Sequence, residues 1–413
     1  MADIKSYTRE KEKRERQAAS KNSRFRLVKS EDEQTFREKI HRHRMSFFYR
    51  AILSLLICGA VIALVALQYK NKTYETYDVV SSVGMEWAGG TTVIRLGGNL
   101  LTYSKDGAHC TDTRGNVLWD QTYEMQSPIV KTCGSVAAIG DYNGRNIYLL
   151  SSEKQLGSIT TNLPIRNLSV AANGVVAAVL EDTTVTWIYI YDTVGTELLR
   201  FRTTMKDSGY PVSVSLSPNA LLCAVSYVYV DAGTIKSSVA FYNFDEYGKN
   251  QIGNLVGGYD CSDTVVPYVQ FMDNSHVFAV GDDCLMFYSG TQKPEHLATY
   301  YFDNEVRGVY YNENYVGVVF YNGTSTGRYR LEIYDQKGSR IRTQDISMDY
   351  TDIVFDGDTY IIYGEEECLI STVDGRVKYD GIFQETVRLL LPSNSRYRYY
   401  LVTEDSLDTI QMR

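Results

Sequence analysis

From residue 47 to residue 67 the chain reads FFYRAILSLLICGAVIALVAL, with Arg50 as its sole charge. Helical rise gives such a run a length of about 31 Å, the thickness of a bilayer's hydrocarbon core. The pattern predicts one transmembrane α-helix, because no other segment approaches that apolar length. Arg50 lies one turn inside the span, where its long stem carries the guanidinium back to the headgroups. Upstream, Phe36, Ile40, His43 and Phe47 fall on one helical face, and Ser30 with Glu33 has the spacing of a capping box. These predict a short juxtamembrane helix over residues 31–46 that runs into the span at 47–67. Beyond Leu67 the helical period gives way to short alternating runs, at 92–96, 135–139, 187–191, 331–334 and 360–363. Each is bounded by Gly, Asn or Asp, which is the pattern of strands joined by hairpins.

The turns repeat too. Asp-x-x-Gly quartets follow strand-like runs at Asp112, Asp192, Asp245 and Asp335, with related turns at Asp106-Gly107 and Asp374-Gly375. The Asp side chain can bond backbone groups two residues on, and Gly supplies the positive φ of a tight turn. Two of the three spacings between the quartets are about twice the 40–45 residues of a four-stranded propeller blade. Cutting the chain on this pattern gives units beginning near residues 88, 126, 163, 209, 265, 305, 349 and 385. The last unit holds only three strands before the chain ends, and a leftover strand-like piece at 74–83 can complete it. The expected fold is all-β: an eight-bladed β-propeller over residues 74–413, closed by pairing of strand 74–83 with the C-terminal blade, after a linker at 68–73. Closure removes an edge that would invite aggregation. A seven-bladed ring with a long insertion around residues 227–262 is the alternative.

Charge adds orientation. Residues 1–50 hold 15 Lys+Arg against 8 Asp+Glu, a net of +7, whereas the rest of the chain carries −15. The basic flank, with His41, Arg42, His43, Arg44 and Arg50, places residues 1–46 in the cytoplasm and the propeller outside, as a single-pass protein of the cell membrane. An uncleaved signal anchor is expected over a cleaved leader, because the preceding polar region is long and no A-x-A site follows the apolar run. Residues 1–30, basic and of mixed charge without an apolar stripe, are expected to be a largely disordered tail, and anionic lipids would hold the juxtamembrane helix. The −15 argues against nucleic acid as a partner.

The stretch LLTYSKDGAHCTDTRGNVLWDQTYEMQSPIV resembles the blades of quinoprotein, or PQQ-like, propellers, in which a strand, a D-x-x-G turn and an apolar strand ending in Trp recur. TYDVVSSV, SGYPVSVSLSPNALLCAVSY and VAFYNFDEYGKNQIGNLVGGYD resemble, more closely, an uncharacterised family of single-pass propeller proteins from Gram-positive anaerobes. This resemblance covers nearly the whole chain from Tyr74 onward. It implies an extracytoplasmic propeller on a signal anchor, with no catalytic residues to transfer. The chain has only three tryptophans, Trp87, Trp119 and Trp187, so the repeated inter-blade tryptophan of the quinoproteins is mostly missing.

Candidate chemistry is sparse. The ectodomain cysteines, Cys110, Cys133, Cys223, Cys261, Cys284 and Cys368, lack any C-x-x-C and read as scattered free thiols, with Cys261 and Cys284 the pair to test for a bridge. His109, His276 and His296 have no ligand-spaced neighbours, and Asp282-Asp283, Asp356-Gly357-Asp358 and Glu365–Glu367 lack the ligand alternation of a calcium loop, so no metal site is expected. Gly323-Thr324-Ser325-Thr326-Gly327 matches the G-x-S-x-G spelling of hydrolases, but no helix and no histidine follow it, which leaves a hairpin turn. No phosphate-binding or dinucleotide loop occurs, and no cofactor and no catalytic residue is expected. Tyrosine is the remaining signal, 34 in all. Tyr300, Tyr301, Tyr310, Tyr311, Tyr397, Tyr399 and Tyr400 are the candidate partner-binding aromatics, since a flat ring with a polar tip suits sugars and proteins. The expected function is a non-catalytic binding or scaffolding propeller of the bacterial cell envelope that recognises a protein or a cell-wall glycan. The alternatives are a propeller enzyme (a glycan lyase, glycosidase or quinoprotein-like dehydrogenase) and a transmembrane sensor.

Overall fold

The computed structural model describes residues 4–22, 30–70 and 72–413, apart from 88, 184, 205–207, 262–263, 325–326, 394 and 396. The chain divides into two compact units, Met1–Lys72 and Thr73–Arg413. In the first, α1 (Ile4–Asn22) is helical where the sequence reading expected largely disordered chain. The charges that suggested a solvated tail are spaced for a helix: Glu10 with Arg14 and Glu12 with Arg16 are i, i+4 pairs in the favourable orientation. Helix α2 (Ser30–Lys70) is one element of 41 residues, so the juxtamembrane segment and the apolar run form a single rod. Over residues 37–65 it is long and apolar enough to cross a membrane, and none of it is buried in protein.

The second unit is an eight-bladed β-propeller, each blade a four-stranded antiparallel sheet. Strand β1 is Tyr77–Gly84. Blade one is β2–β5 (Thr92–Leu96, Asn99–Tyr103, Gly107–Thr111, Val117–Thr122) and blade two β6–β9 (Pro128–Cys133, Val136–Asp141, Asn146–Ser151, Gln155–Thr160). Blade three is β10–β13 (Ile165–Val170, Val176–Glu181, Thr186–Tyr191, Glu197–Thr203) and blade four β14–β17 (Tyr210–Leu216, Leu222–Asp231, Thr234–Asn243, Leu255–Cys261). Blade five is β18–β21 (Tyr268–Phe271, His276–Val280, Cys284–Ser289, Glu295–Tyr301) and blade six β22–β25 (Val306–Tyr311, Tyr315–Thr324, Gly327–Asp335, Arg340–Ile346). Blade seven is β26–β29 (Tyr350–Asp356, Thr359–Gly364, Glu367–Thr372, Val377–Ile382), and β30–β32 (Leu389–Pro392, Arg398–Val402, Ser406–Met412) begin blade eight. Its outer strand is β1, paired with β32 from Tyr77↔Met412 to Gly84↔Ser406. The seven-bladed alternative fails because residues 227–262 are no insertion. They are a lengthened hairpin between β15 and β16, then a helical turn, α3 (Glu246–Lys249), before β17.

The third turn of a blade shows why the sequence repeats. Asp112 Oδ1 accepts the N–H groups of Arg114 and Asn116, Asp192 those of Val194 and Thr196, and Asp335 those of Lys337 and Ser339. Gly115 closes the first of these turns at φ +82°, beside the Val83 side chain of β1 in the neighbouring blade. In blades two and seven Ser151 and Thr372 replace the aspartate, their hydroxyls accepting the N–H of Lys154 and of Arg376. Asp245 departs from the scheme: it precedes α3 and makes no side-chain cap bond.

First strands of successive blades pack side by side around the central channel. Their free edges present N–H groups that need partners, and serines of the preceding blade supply them. Ser169 Oγ accepts from Leu216 N at 2.9 Å, Ser213 Oγ from Val269 N at 3.1 Å and Ser215 Oγ from Phe271 N at 2.9 Å. Side chains on alternate strand positions fill the spaces between blades, as Ile188, Val225 and Tyr227 do between blades three and four.

All six propeller cysteines are free. Cys261 and Cys284, the candidate pair, have other neighbours: Cys261 Sγ lies 3.8 Å from Met286 Sδ and Cys284 Sγ 3.9 Å from Thr264 Oγ1. Burial pushes the Cys110 and Cys261 thiols up to about 11 and Cys284 to about 12. Thiolate is therefore scarce and access closed. In the folded chain near pH 8, iodoacetamide is expected to modify none of Cys110, Cys223, Cys261, Cys284 and Cys368, and all five once urea has opened the ring. Mass spectrometry of the labelled peptides reads the result, and fast native labelling of any of them would mean an opened blade.

Candidate functional site

Two cavities of ligand size are lined by described residues of the propeller. The larger, ≈ 600 Å³, lies in the channel and is walled by the first strands of five consecutive blades, from β6 to β22, and the turns that follow them. Its lining mixes Lys131, Thr132, Gln270, Tyr268 and Tyr311 with apolar side chains. Val130 of β6 packs against the core of blades one and two, and both it and Lys131 border the cavity. Burial lowers the pKa of the Lys131 ammonium, and no ion pair holds it among the described residues. Tyr311, 38% exposed, lines the same cavity, and burial of its hydroxyl, with Tyr268 adjoining, raises that group well above the usual range. A half-buried cation in a wall shared with two phenols, an amide and the Glu313 carboxylate is a recognition surface for a group carrying both oxygen acceptors and donors.

The second cavity, ≈ 340 Å³, lies between blades five and six and is lined by Tyr300, Tyr301, Phe302, Tyr334 and the charged trio Arg330, Glu332 and Arg340. On β24 the even-numbered positions face blade five, while Leu331 and Ile333 face blade seven. Glu332 is 5% exposed and accepts from Tyr334 Oη at 2.7 Å and Arg340 Nη1 at 3.0 Å. The Arg330 guanidinium lies over the Phe320 ring, 5.7 Å from its centroid.

The sequence-derived tyrosines thus do not share one surface. Tyr300 and Tyr301 line the rim cavity and Tyr311 the channel. Tyr310 packs toward Tyr350, with 6.3 Å between ring centroids. Tyr397 lies against Tyr74 at 5.1 Å, and Tyr400 lines a small cleft of ≈ 80 Å³ with Arg95 and Leu391. Tyr399 has to be withdrawn: at 7% exposure it is core of blades seven and eight, because it alternates with the outward Arg398 on β31. Sequence reading missed Lys131 and the Arg330–Glu332–Arg340 group. A signal existed for Arg330 and Glu332, since they alternate with Leu331 and Ile333 on a blade's third strand, whose two faces pack toward neighbouring blades; Arg340 comes from β25.

The other candidates have structural partners. His276 Nδ1 meets Asp273 Oδ2 at 2.8 Å, His296 Nε2 meets Thr299 Oγ1 at 2.8 Å, and burial lowers His109 against the opposing Asp120 charge. Asp358 accepts from Tyr315 Oη at 2.8 Å, tying blade seven to blade six. No three His, Cys, Asp or Glu converge to hold a metal among the described residues. The G-x-S-x-G stretch joins β23 to β24, with Ser325 and Thr326 outside the described residues.

Among solved structures, the computationally designed protein Ika8 is similar, with 14% identity, a TM-score of 0.51, and coverage of 82% of this chain and 100% of its own. BamB from Moraxella catarrhalis has 11% identity, a TM-score of 0.48 and coverage of 82% and 100%. Hsv2 from Kluyveromyces lactis has 8% identity, a TM-score of 0.46 and coverage of 71% and 98%. At these identities the likeness concerns the fold alone. No curated protein matches. Residues 70–412 match the family of unknown function DUF5711, and the chain belongs to that family.

Proposed function

We propose that the protein is a single-pass, membrane-anchored binding module of the cell envelope. In this reading α2 crosses the bilayer with its basic flank in the cytoplasm, and the propeller, held outside, receives a segment of an envelope protein or a glycan chain in its channel cavity. The observation that carries the binding role is the ≈ 600 Å³ cavity with Lys131, held by no ion pair among the described residues, in its wall. Its size and mixed lining are those of a ligand site rather than of a packed core. The apolar length of α2 and the charge split on either side of it support the anchor and its direction.

A photo-crosslinking amino acid in place of Tyr311 tests this in membranes. One discrete adduct is expected, and Lys131→Glu in the same chain should abolish it, because reversing the charge repels the oxygens that the ammonium meets. Cleavage by protease added outside sealed cells should reach a C-terminal tag but not an N-terminal one. Absence of any adduct, or turnover of a glycan, peptide or alcohol by the purified chain, would sink the proposal, and the second outcome would favour an enzyme.

A further inference from the structure

The bulge before the third turn fixes equivalent positions on the third strand of each blade, so that Glu332 and Tyr334 of blade six correspond to Tyr189 and Tyr191 of blade three. At the Glu332 position the other blades with an unbroken third turn carry His109, Tyr148, Tyr189, Ala240, Met286 and Leu369. Glu332 is the one acid of that series, and it is buried. A buried carboxylate is costly unless fully bonded, and nothing in the blade geometry asks for one where tyrosine or methionine fits. Its contacts show its effect. Through Oε2 it fixes Arg340 and Tyr334. Its Oε1 lies 3.2 Å from Arg330 Nε but off the line of a hydrogen bond, so that N–H stays buried and unbonded. Two guanidiniums are thereby held at one wall of the ≈ 340 Å³ cavity, with donors left over.

The facing wall is aromatic. Tyr301 is 77% exposed and offers a bare ring face, while Tyr300 is backed by Tyr334 at 5.2 Å between centroids. Asp303 and Asn304 complete the lining, so that two arginines stand against two carboxylates and the site carries no net charge. Balanced charge disfavours a simple anion. Forked planar donors and acceptors beside a flat apolar ring match a polyhydroxylated ring instead, whose C–H face stacks on tyrosine while neighbouring hydroxyls bridge guanidinium, carboxylate and amide. We propose that this rim cavity binds a pyranose unit of a saccharide, with Tyr301 as its stacking platform, Arg330 and Arg340 as hydroxyl-binding residues, and Glu332 as the residue that positions both arginines. The site is separate from the channel cavity, and neither assignment needs the other.

Saturation-transfer NMR on the full-length chain in detergent, with millimolar glucose, N-acetylglucosamine or cellobiose, provides the test. Transfer to the ring protons of at least one of these sugars is expected. Tyr301→Ala should weaken binding about tenfold, the size of one aromatic contact, without moving the melting temperature, and Tyr301→Trp should restore it. Glu332→Gln keeps the shape but releases the arginines, and should weaken binding as well. Lys131→Glu, in the channel, should leave it unchanged. The proposal is overturned if none of the sugars receives saturation, if Tyr301→Ala binds as tightly as the parent, or if acetate or inorganic phosphate displaces the sugar.

Discussion

A chain that begins at residue 85 is expected to self-associate and to melt well below the full-length protein. It lacks β1, and with it the register from Tyr77↔Met412 to Gly84↔Ser406 that covers β32. At about 1 kcal/mol per hydrogen bond, loss of that ladder costs on the order of 5 kcal/mol. Packing is lost as well: Tyr74, 8% exposed, bridges to Tyr379 of blade seven, and Val83 lies against the Gly115 turn of blade one. The uncovered β32 then offers seven residues of open edge to a second copy. Size-exclusion chromatography with light scattering, beside a thermal melt, measures both effects. Adding a synthetic peptide of residues 73–84 should restore the monomer and most of the lost stability. A truncated chain that stays monomeric with an unchanged melting temperature would show that blade eight is complete without its N-terminal strand.

Gly157→Ala is expected to destabilise the propeller by about 3 kcal/mol, the upper end of overpacking penalties. Gly157 belongs to β9, the outer strand of blade two, and a Cβ there would stand 2.1 Å from the carbonyl oxygen of Thr193 in the third turn of blade three. The obstacle is backbone held by the Asp192 hydrogen bonds, so no side-chain rotation relieves it. Gly258→Ala in β17 is the control. Nothing lies within 4 Å of its Cβ position, and the change should stay within about 0.5 kcal/mol. Urea unfolding of the two variants followed by tryptophan emission separates them, and coincident curves would deny the close approach between blades two and three.

The ring was legible because its signals are local. Alternation and turn chemistry put unit boundaries near 88, 126, 163, 209, 265, 305, 349 and 385, and the first strands begin at Thr92, Pro128, Ile165, Tyr210, Tyr268, Val306, Tyr350 and Leu389. The same spelling can conceal different structure, as Asp245 shows. Its quartet continues into α3, where Gly248 is buried and a Cβ would strike the Asn243 carbonyl. The candidate sites were less legible, for a geometric reason. Tyr300, Tyr311 and Tyr399 are near one another in composition and chemistry, yet ring topology sends them to the rim, the channel and the core. Convergence of Arg330, Glu332 and Arg340 with Tyr301 is made by the contact between two blades, which spacing along one strand cannot express.

The closing strand also determines how the propeller meets mechanical force. Under the proposed anchoring, load enters the propeller first at Thr73 and Tyr74, which bond to Val377, Lys378 and Asp380 of blade seven, and then at Tyr77, the end of β1 paired with Met412 of β32. A pull along the strand axis loads the whole β1–β32 ladder in shear, and its bonds must yield together instead of peeling one after another. A propeller closed only by its own last strands would carry such a load through a single connecting loop. In the proposed module the loaded segment is itself part of the sheet, so drag on its partner would strain the most extensively paired edge of blade eight.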